Sequence, residues 1–188
     1  MRAIVFCACL ICISVVPNAM LAAESFSFNS ELPALLSSKA ASTHRLSVNS
    51  ESGLSVILFL SPDCPASVAH EPYLEKLRAE YSFAKFSAIY SGSNETLPKV
   101  RAHFNSANLN FPVLHDRHGE LRRKFKVLKT PTVVVLRGPR REYFGGVTDS
   151  HRPDRAGIEY LRAALEDLKD GRTVATPQGH TLGCYIGS

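Results

Sequence analysis

The chain contains 188 residues, of which 45% are hydrophobic and 21% are charged, and its formal net charge is +5. This length is sufficient for one domain with a sizeable core, and both fractions are typical of soluble globular proteins. Two basic clusters, at residues 122–124 and 137–141, lack the interleaved aromatic residues on which single-stranded nucleic-acid bases stack. We therefore expect no nucleic-acid partner.

The N-terminal segment is typical of a secretory signal peptide. Arg2 precedes an uncharged apolar run at residues 3–16, and small residues at 19–23 offer a cleavage site. The run is shorter than the roughly twenty apolar residues that a membrane-spanning helix needs, so we expect no stable membrane anchor. The sequence predicts a signal peptide over residues 1–23 and an extracytoplasmic mature protein, either periplasmic or secreted.

Removal of this segment changes the cysteine count. Cys7, Cys9 and Cys12 lie in the apolar run, so the mature chain would keep only Cys64 and Cys184. Two thiols in an oxidising compartment raise the question of whether they pair with each other.

The remaining sequence predicts one α/β domain over residues 24–170 and a tail over 171–188. We expect one short strand and one helical turn within residues 24–48. Short apolar or β-branched runs predict strands at residues 55–60, 84–90, 111–114, 132–136 and 142–147. Apolar positions at helical spacing predict helices at residues 65–81, 94–107, 121–125 and 154–170. This order favours a mixed central β-sheet flanked by helices.

The first long strand leads directly to a cysteine. Ser61 begins a tight turn, Cys64 follows it, and Pro65 is suited to the first turn of a helix. Unpaired N–H groups and the positive end of the helix dipole favour thiolate over thiol at such a position. The sequence therefore predicts a reactive Cys64, although a small buried cysteine that only packs is the alternative interpretation.

Three short motifs in this order resemble those of the thioredoxin-like superfamily, in particular its exported redoxin and peroxiredoxin-like proteins. The motifs are Asp63-Cys64-Pro65, Thr130-Pro131 and Gly183-Cys184. The resemblance extends from about residue 54 to residue 186 and implies a thioredoxin-like fold. It also implies that the Thr130-Pro131 bond is cis, that it lies beside Cys64, and that Thr130, Pro131 and Pro65 help to bind an extended substrate.

The same resemblance implies a thiol-based oxidoreductase. Cys64 would be the nucleophile, Cys184 its resolving partner, and Ser67 a hydrogen-bond donor to the thiolate. The substrates would be protein thiols or disulfides, or a peroxide, and an exported thiol reductant would restore the reduced enzyme. No cofactor and no resident metal are expected.

The sequence departs from the family pattern at several positions. Ser67 replaces the second cysteine of the usual Cys-x-x-Cys motif, and Leu58 replaces the buried acid that thioredoxins place six residues before the first cysteine. Ser61 fits the hydroxyl that peroxiredoxins place three residues before their cysteine, but Ile57 replaces their proline. The substrate therefore stays open between a peroxide and a protein disulfide.

Cys184 lies in the tail, which shows no helical period. We expect Gly179 and Gly183 to make this tail mobile, so that it can carry Cys184 to Cys64. Tyr185 and the residue after it would supply apolar contacts when the tail docks.

Two other functions remain open. One is a copper-binding chaperone with the thioredoxin fold, in which Cys64, Cys184 and a histidine form a soft site for Cu(I). The candidate histidines are His115, His118 and His180. The other is a redox-inert domain that binds partners in the groove around Pro131, with a Cys64–Cys184 disulfide as a static cross-link.

Overall fold

The computed structural model describes residues 29–33, 43–47, 53–92 and 96–187. The predicted signal peptide, with its three cysteines, lies outside these residues. The strands are β1 (Asn29–Pro33), β2 (Thr43–Ser47), β3 (Leu54–Phe59), β4 (Ala84–Tyr90), β5 (Val113–His115), β6 (Lys129–Thr130), β7 (Thr132–Arg137), β8 (Arg140–Gly145) and β9 (Cys184–Tyr185). The helices are α1 (Pro65–Glu80), α2 (Leu97–Ser106), α3 (Glu120–Lys124) and α4 (Tyr160–Lys169).

Five strands form the central sheet, in the order β5-β4-β3-β7-β8. β3 runs parallel to β4, and β4 runs parallel to β5. β7 is antiparallel to both of its neighbours, β3 and β8. The sheet is therefore mixed, and the predicted α/β class with a mixed central sheet flanked by helices is confirmed.

Apolar side chains cover both faces of this sheet, which explains why its central strands are continuous apolar runs. Alternate residues of β3 point to opposite faces. Val56 and Leu58 pack with residues of α1, α2 and α4 in one cluster, whereas Ile57 and Phe59 pack in a second cluster with residues of and near α3. Among the described residues, no helix has the length and apolar character that crossing a membrane would require.

The last helix begins later than predicted. Pro153–Arg155 forms a short 3₁₀ turn, and α4 starts only at Tyr160. Between them, the carboxylate of Asp149 accepts hydrogen bonds from the backbone N–H groups of Gly157 at 2.9 Å and Ile158 at 3.0 Å. These side-chain bonds take the donors that a continuous helix would have used. Ile158, within the range predicted to be helical, lies before α4 and is exposed.

The N-terminal part of the domain also differs from the prediction. Two strands are seen where one was expected: β1 and β2 form an antiparallel pair in which Leu32 lies opposite His44. The predicted start of α2 at residue 94 lies outside the described residues, and the helix is seen from Leu97 onward.

The segment after α4 is docked on the domain. Phe144, in the edge strand β8, donates its N–H to the Pro177 carbonyl at 3.0 Å and accepts the Gly179 N–H at 3.1 Å. A Cβ at Gly179 would overlap the Tyr143 hydroxyl. Gly179 therefore allows close packing of the tail against the sheet, which is the opposite of loosening it.

The position of Leu58 in β3 leads to a stability prediction. Leu58 is completely buried, so Leu58→Ala should leave a cavity and lower the free energy of unfolding by about 2–5 kcal/mol. Leu128→Ala is the matched control, because Leu128 is 69% exposed and its truncation should change that free energy by less than about 0.5 kcal/mol. Urea unfolding of both variants measures the difference. Equal losses would contradict the assignment of Leu58 to the core.

Candidate active site

Cys64 lies at the N-terminus of α1, as predicted. It is the N-cap residue, with φ −96° and ψ 109°, and Pro65 occupies the first turn of the helix. The Cys64 N–H donates to the Ser61 carbonyl at 3.1 Å, and the Cys64 carbonyl accepts the Val68 N–H at 3.0 Å. The turn after β3 therefore fixes the backbone of Cys64, while its side chain is only 1% exposed.

The Thr130-Pro131 peptide bond is cis, as the resemblance implied. It joins the short strand β6 to β7, the neighbour of β3 in the sheet. The Cys64 Sγ–H donates a hydrogen bond to the Thr130 carbonyl oxygen at 3.0 Å. The start of α1 and the loop around Pro131 thus meet at the Cys64 sulfur.

The docked tail places Cys184 at the same point. β9 pairs antiparallel with β6, and Cys184 lies opposite Thr130. Both the side chain and the backbone N–H of Cys184 are within hydrogen-bonding reach of the Cys64 sulfur. Both thiols are free, and Cys184 is exposed whereas Cys64 is buried.

Gly183 is required for this approach. A Cβ at Gly183 would overlap the Thr130 carbonyl oxygen and lie 3.2 Å from the Pro131 ring. The expectation that Gly183 loosens the tail is therefore wrong, because its missing side chain lets β9 lie against β6.

The two thiols have pKa values that shift in opposite directions. Burial raises the pKa of Cys64, but hydrogen bonds from the Cys184 and Thr130 side chains and from the Ser67 and Cys184 backbone N–H groups lower it below that of an ordinary thiol. The Thr130 carbonyl acts against these donors, because only the protonated thiol can donate to it. Burial, together with the hydrogen bond and the charge of Cys64, raises the pKa of Cys184 to about 11. The pair therefore favours a thiolate at Cys64 and a proton on Cys184.

Ser67 is fully buried one turn into α1. Its hydroxyl oxygen accepts the Ser61 N–H at 3.3 Å, and its own backbone N–H faces the Cys64 sulfur. The hydroxyl group thus holds the turn that precedes Cys64, while the backbone N–H of Ser67 helps to lower the pKa of that cysteine.

His70, on the same helix, has partners other than Cys64. Its Nδ1 pairs with the Ala66 carbonyl at 2.7 Å, and its Nε2 pairs with the Thr148 hydroxyl at 3.0 Å. Burial lowers the pKa of His70. The Nε2 bond ties α1 to the loop after β8, whereas the Nδ1 bond stays within α1.

Two cavities meet at Cys184. An inner cavity of about 180 Å³ is lined by Cys64 and Cys184, by residues at the ends of β3 and β4, and by Tyr185 and Ile186. A wider groove of about 730 Å³ lies along the first turns of α1 and the 151–154 loop, and Cys184 lines it as well. Sequence reasoning missed the 151–154 loop as part of the site, because its four residues follow no motif.

Within the described part of the chain, no group of three or more His, Cys, Asp and Glu side chains could hold a metal ion. His115 instead stacks on Tyr90 with the ring centroids 5.7 Å apart. None of the three candidate histidines therefore joins the two thiols in the ligand set that the copper-binding alternative needs.

Comparison with known proteins identifies the family. The sequence matches the AhpC/TSA family over residues 26–144. The chain belongs to the AhpC/TSA family. Together with the fold, this makes it a redoxin of the thioredoxin-like superfamily, as its motifs predicted. No curated protein matches the chain.

Solved structures share the fold of this AhpC/TSA family member. It is similar to an uncharacterized conserved protein from Geobacillus kaustophilus, with 26% identity and a TM-score of 0.75 over 90% of this chain and 94% of that one. A hypothetical protein from Sinorhizobium meliloti shows 24% identity and a TM-score of 0.75 over 87% and 93% of the two chains. A secreted disulfide oxidoreductase from Mycobacterium tuberculosis shows 20% identity and a TM-score of 0.56 over 74% and 95%.

The opposite pKa shifts lead to a titration prediction. The ultraviolet absorbance of the thiolate in the reduced protein should rise in two steps, the first below the pKa of an ordinary thiol and the second near pH 11. Cys64→Ser should remove the first step and lower the second, because Cys184 then loses the hydrogen bond and the charge that raise its pKa. A single step at the pKa of an ordinary thiol would show that the two sulfurs do not interact.

Proposed function

We propose that this protein is an exported thiol oxidoreductase that uses Cys64 as nucleophile and Cys184 as resolving cysteine. The observation that carries the proposal is the contact between the two free thiols, one favoured as thiolate and the other as thiol. A low-pKa thiolate at a helix N-terminus is the usual attacking group in thiol redox chemistry. A second thiol beside it can capture the oxidised sulfur without a rearrangement of the chain.

With a peroxide as substrate, the Cys64 thiolate attacks one peroxide oxygen. An S–O bond forms, the O–O bond breaks, and the other oxygen leaves with a proton as water or an alcohol. Cys184 then attacks the sulfenic acid, so that an S–S bond forms and the S–O bond breaks. The oxygen leaves as water with the proton from Cys184, and the two cysteines have together lost two electrons.

With a disulfide as substrate, the same two residues act in the same order. Cys64 forms a mixed disulfide and releases one substrate thiolate, and Cys184 attacks Cys64 and releases the second. Both substrates leave a Cys64–Cys184 disulfide, which an exported dithiol would reduce by two electrons. The exposed Cys184 sulfur is the accessible target of that reductant, and the Cys64 thiolate is the better leaving group because its pKa is the lower one.

The other predicted site residues would position the substrate. Thr130 and Pro131 bring a strand edge beside the Cys64 sulfur, and Pro65 lines the groove that opens at Cys184. We propose that these three residues orient the reacting group of the substrate toward Cys64.

The two cysteines can be tested separately by substitution. Cys64→Ser should abolish reduction of hydrogen peroxide and of a small disulfide, because the nucleophile is lost. The Cys184→Ser variant should consume about one equivalent of peroxide or disulfide per protein and then stop. A sulfenic acid or a mixed disulfide should remain on Cys64, and mass spectrometry detects it. Unchanged unfolding midpoints of both variants serve as the control. Turnover of Cys184→Ser at the rate of the unmodified protein would mean that an external thiol resolves Cys64.

Export is the second part of the proposal. It is supported by the apolar N-terminal run and by the secreted Mycobacterium tuberculosis oxidoreductase among the similar structures. N-terminal sequencing of the exported protein should begin at or beside Glu24. Ile13→Arg should keep the protein inside the cell with its N-terminus uncut, because a charge interrupts the apolar run. An exported protein that retains Cys7, Cys9 and Cys12 would contradict the predicted cleavage.

A further inference from the structure

We propose that residues 177–187 form a strap that restricts Cys64 to small oxidants and excludes polypeptide disulfides while it is docked. This inference rests on the proposed function and adds a limit on the size of the oxidant that Cys64 can reach. The specificity-determining residues are Gly179 and Gly183, which let the strap lie in its place.

The strap is anchored at both ends by backbone hydrogen bonds. At its start, Pro177 and Gly179 bond to Phe144 on the edge of β8. At its end, the Ile186 N–H donates to the Leu128 carbonyl at 2.9 Å. The Arg122 guanidinium adds hydrogen bonds of 3.3 and 3.2 Å to the carbonyl oxygens of residues 186 and 187. These anchors fix the register of Cys184 opposite Thr130.

Two contacts of the strap tolerate no side chain. A Cβ on Gly179 would overlap the Tyr143 hydroxyl and come within 3.0 Å of the Tyr160 ring. A Cβ on Gly183 would overlap the Thr130 carbonyl, which is backbone and cannot turn away as a side chain can. Alanine at either position must therefore push the strap away from the domain.

The docked strap uses the backbone edge that a polypeptide substrate would need. An extended segment that approached Cys64 beside Pro131 would pair with Thr130, but Cys184 already takes that pairing. The Cys64 side chain is only 1% exposed under this arrangement. A polypeptide disulfide can therefore reach the sulfur only after the strap has left.

A small molecule still has room. The inner cavity has a volume of about 180 Å³, whereas one water molecule occupies about 30 Å³ in the liquid. Hydrogen peroxide, which is little larger than water, fits in this cavity, which both cysteines line. The thiolate can attack it there, with release of water, and Cys184 can resolve the sulfenic acid while the strap stays docked.

The experiment compares two oxidants in proteins that all carry Cys184→Ser, so that only the first reaction of Cys64 is measured. With the strap intact, Cys64 should react readily with hydrogen peroxide and only slowly with insulin, which is a polypeptide disulfide. Adding Gly183→Ala should raise the rate with insulin at least about tenfold, equivalent to ~1.4 kcal/mol. It should not raise the peroxide rate, because displacing the strap also removes the Cys184 N–H that lowers the pKa of Cys64. Gly157→Ala is the matched control, because its Cβ would meet Asp149 at an ordinary 3.4 Å, and both rates should stay unchanged.

A second variant that ends at residue 176 should show the same gain with insulin and covers the case in which Gly183→Ala fails to fold. Insulin rates that neither variant raises would overturn the inference, as would an insulin rate equal to the peroxide rate with the strap intact. Failure of the proposed function looks different, since Cys64 would then react with neither oxidant in any of the proteins.

Discussion

The antiparallel pairing of Thr130 with Cys184 is the interaction on which the site depends. It joins two segments that are far apart in the sequence, the short strand before Pro131 and the last strand of the chain. The same Thr130 carbonyl accepts a hydrogen bond from Cys64. The backbone of Thr130 therefore contacts both cysteines at the point where the two sulfurs meet.

Burial and hydrogen bonding oppose each other at the Cys64 sulfur. Removal from water disfavours a thiolate, so a buried cysteine without donors would have a raised pKa. Here the donors from Ser67 and from the strap outweigh burial, and the pKa is lowered. Because part of this effect comes from Cys184, the strap does more than supply a second thiol. It also helps to form the Cys64 thiolate, and its own Cys184 later resolves the oxidised form of that cysteine.

The sequence predicted the parts of the site that depend on local pattern. The apolar run of β3, the turn before Cys64 and the helix that starts at Pro65 are all adjacent in the chain, and the Thr130-Pro131 motif was informative in combination with them. The pairing of the strap with β6 was missed because a two-residue strand has no periodicity, and its place depends on contacts of Gly179 and Gly183 with distant backbone and side chains. The late start of α4 was missed for a similar reason, since it depends on the side chain of Asp149.

The strap is held by backbone hydrogen bonds at both ends, although Cys184 and Tyr185 are exposed. Tyr185 is 74% exposed and Cys184 is exposed, so few apolar contacts hold this part of the chain. Segments held mainly by exposed hydrogen bonds detach at a lower free energy than the core unfolds. In the reduced protein the strap can therefore leave without loss of the sheet. Once Cys64 and Cys184 form a disulfide, the strap is joined covalently to the start of α1, and only reduction at the exposed sulfur releases it again.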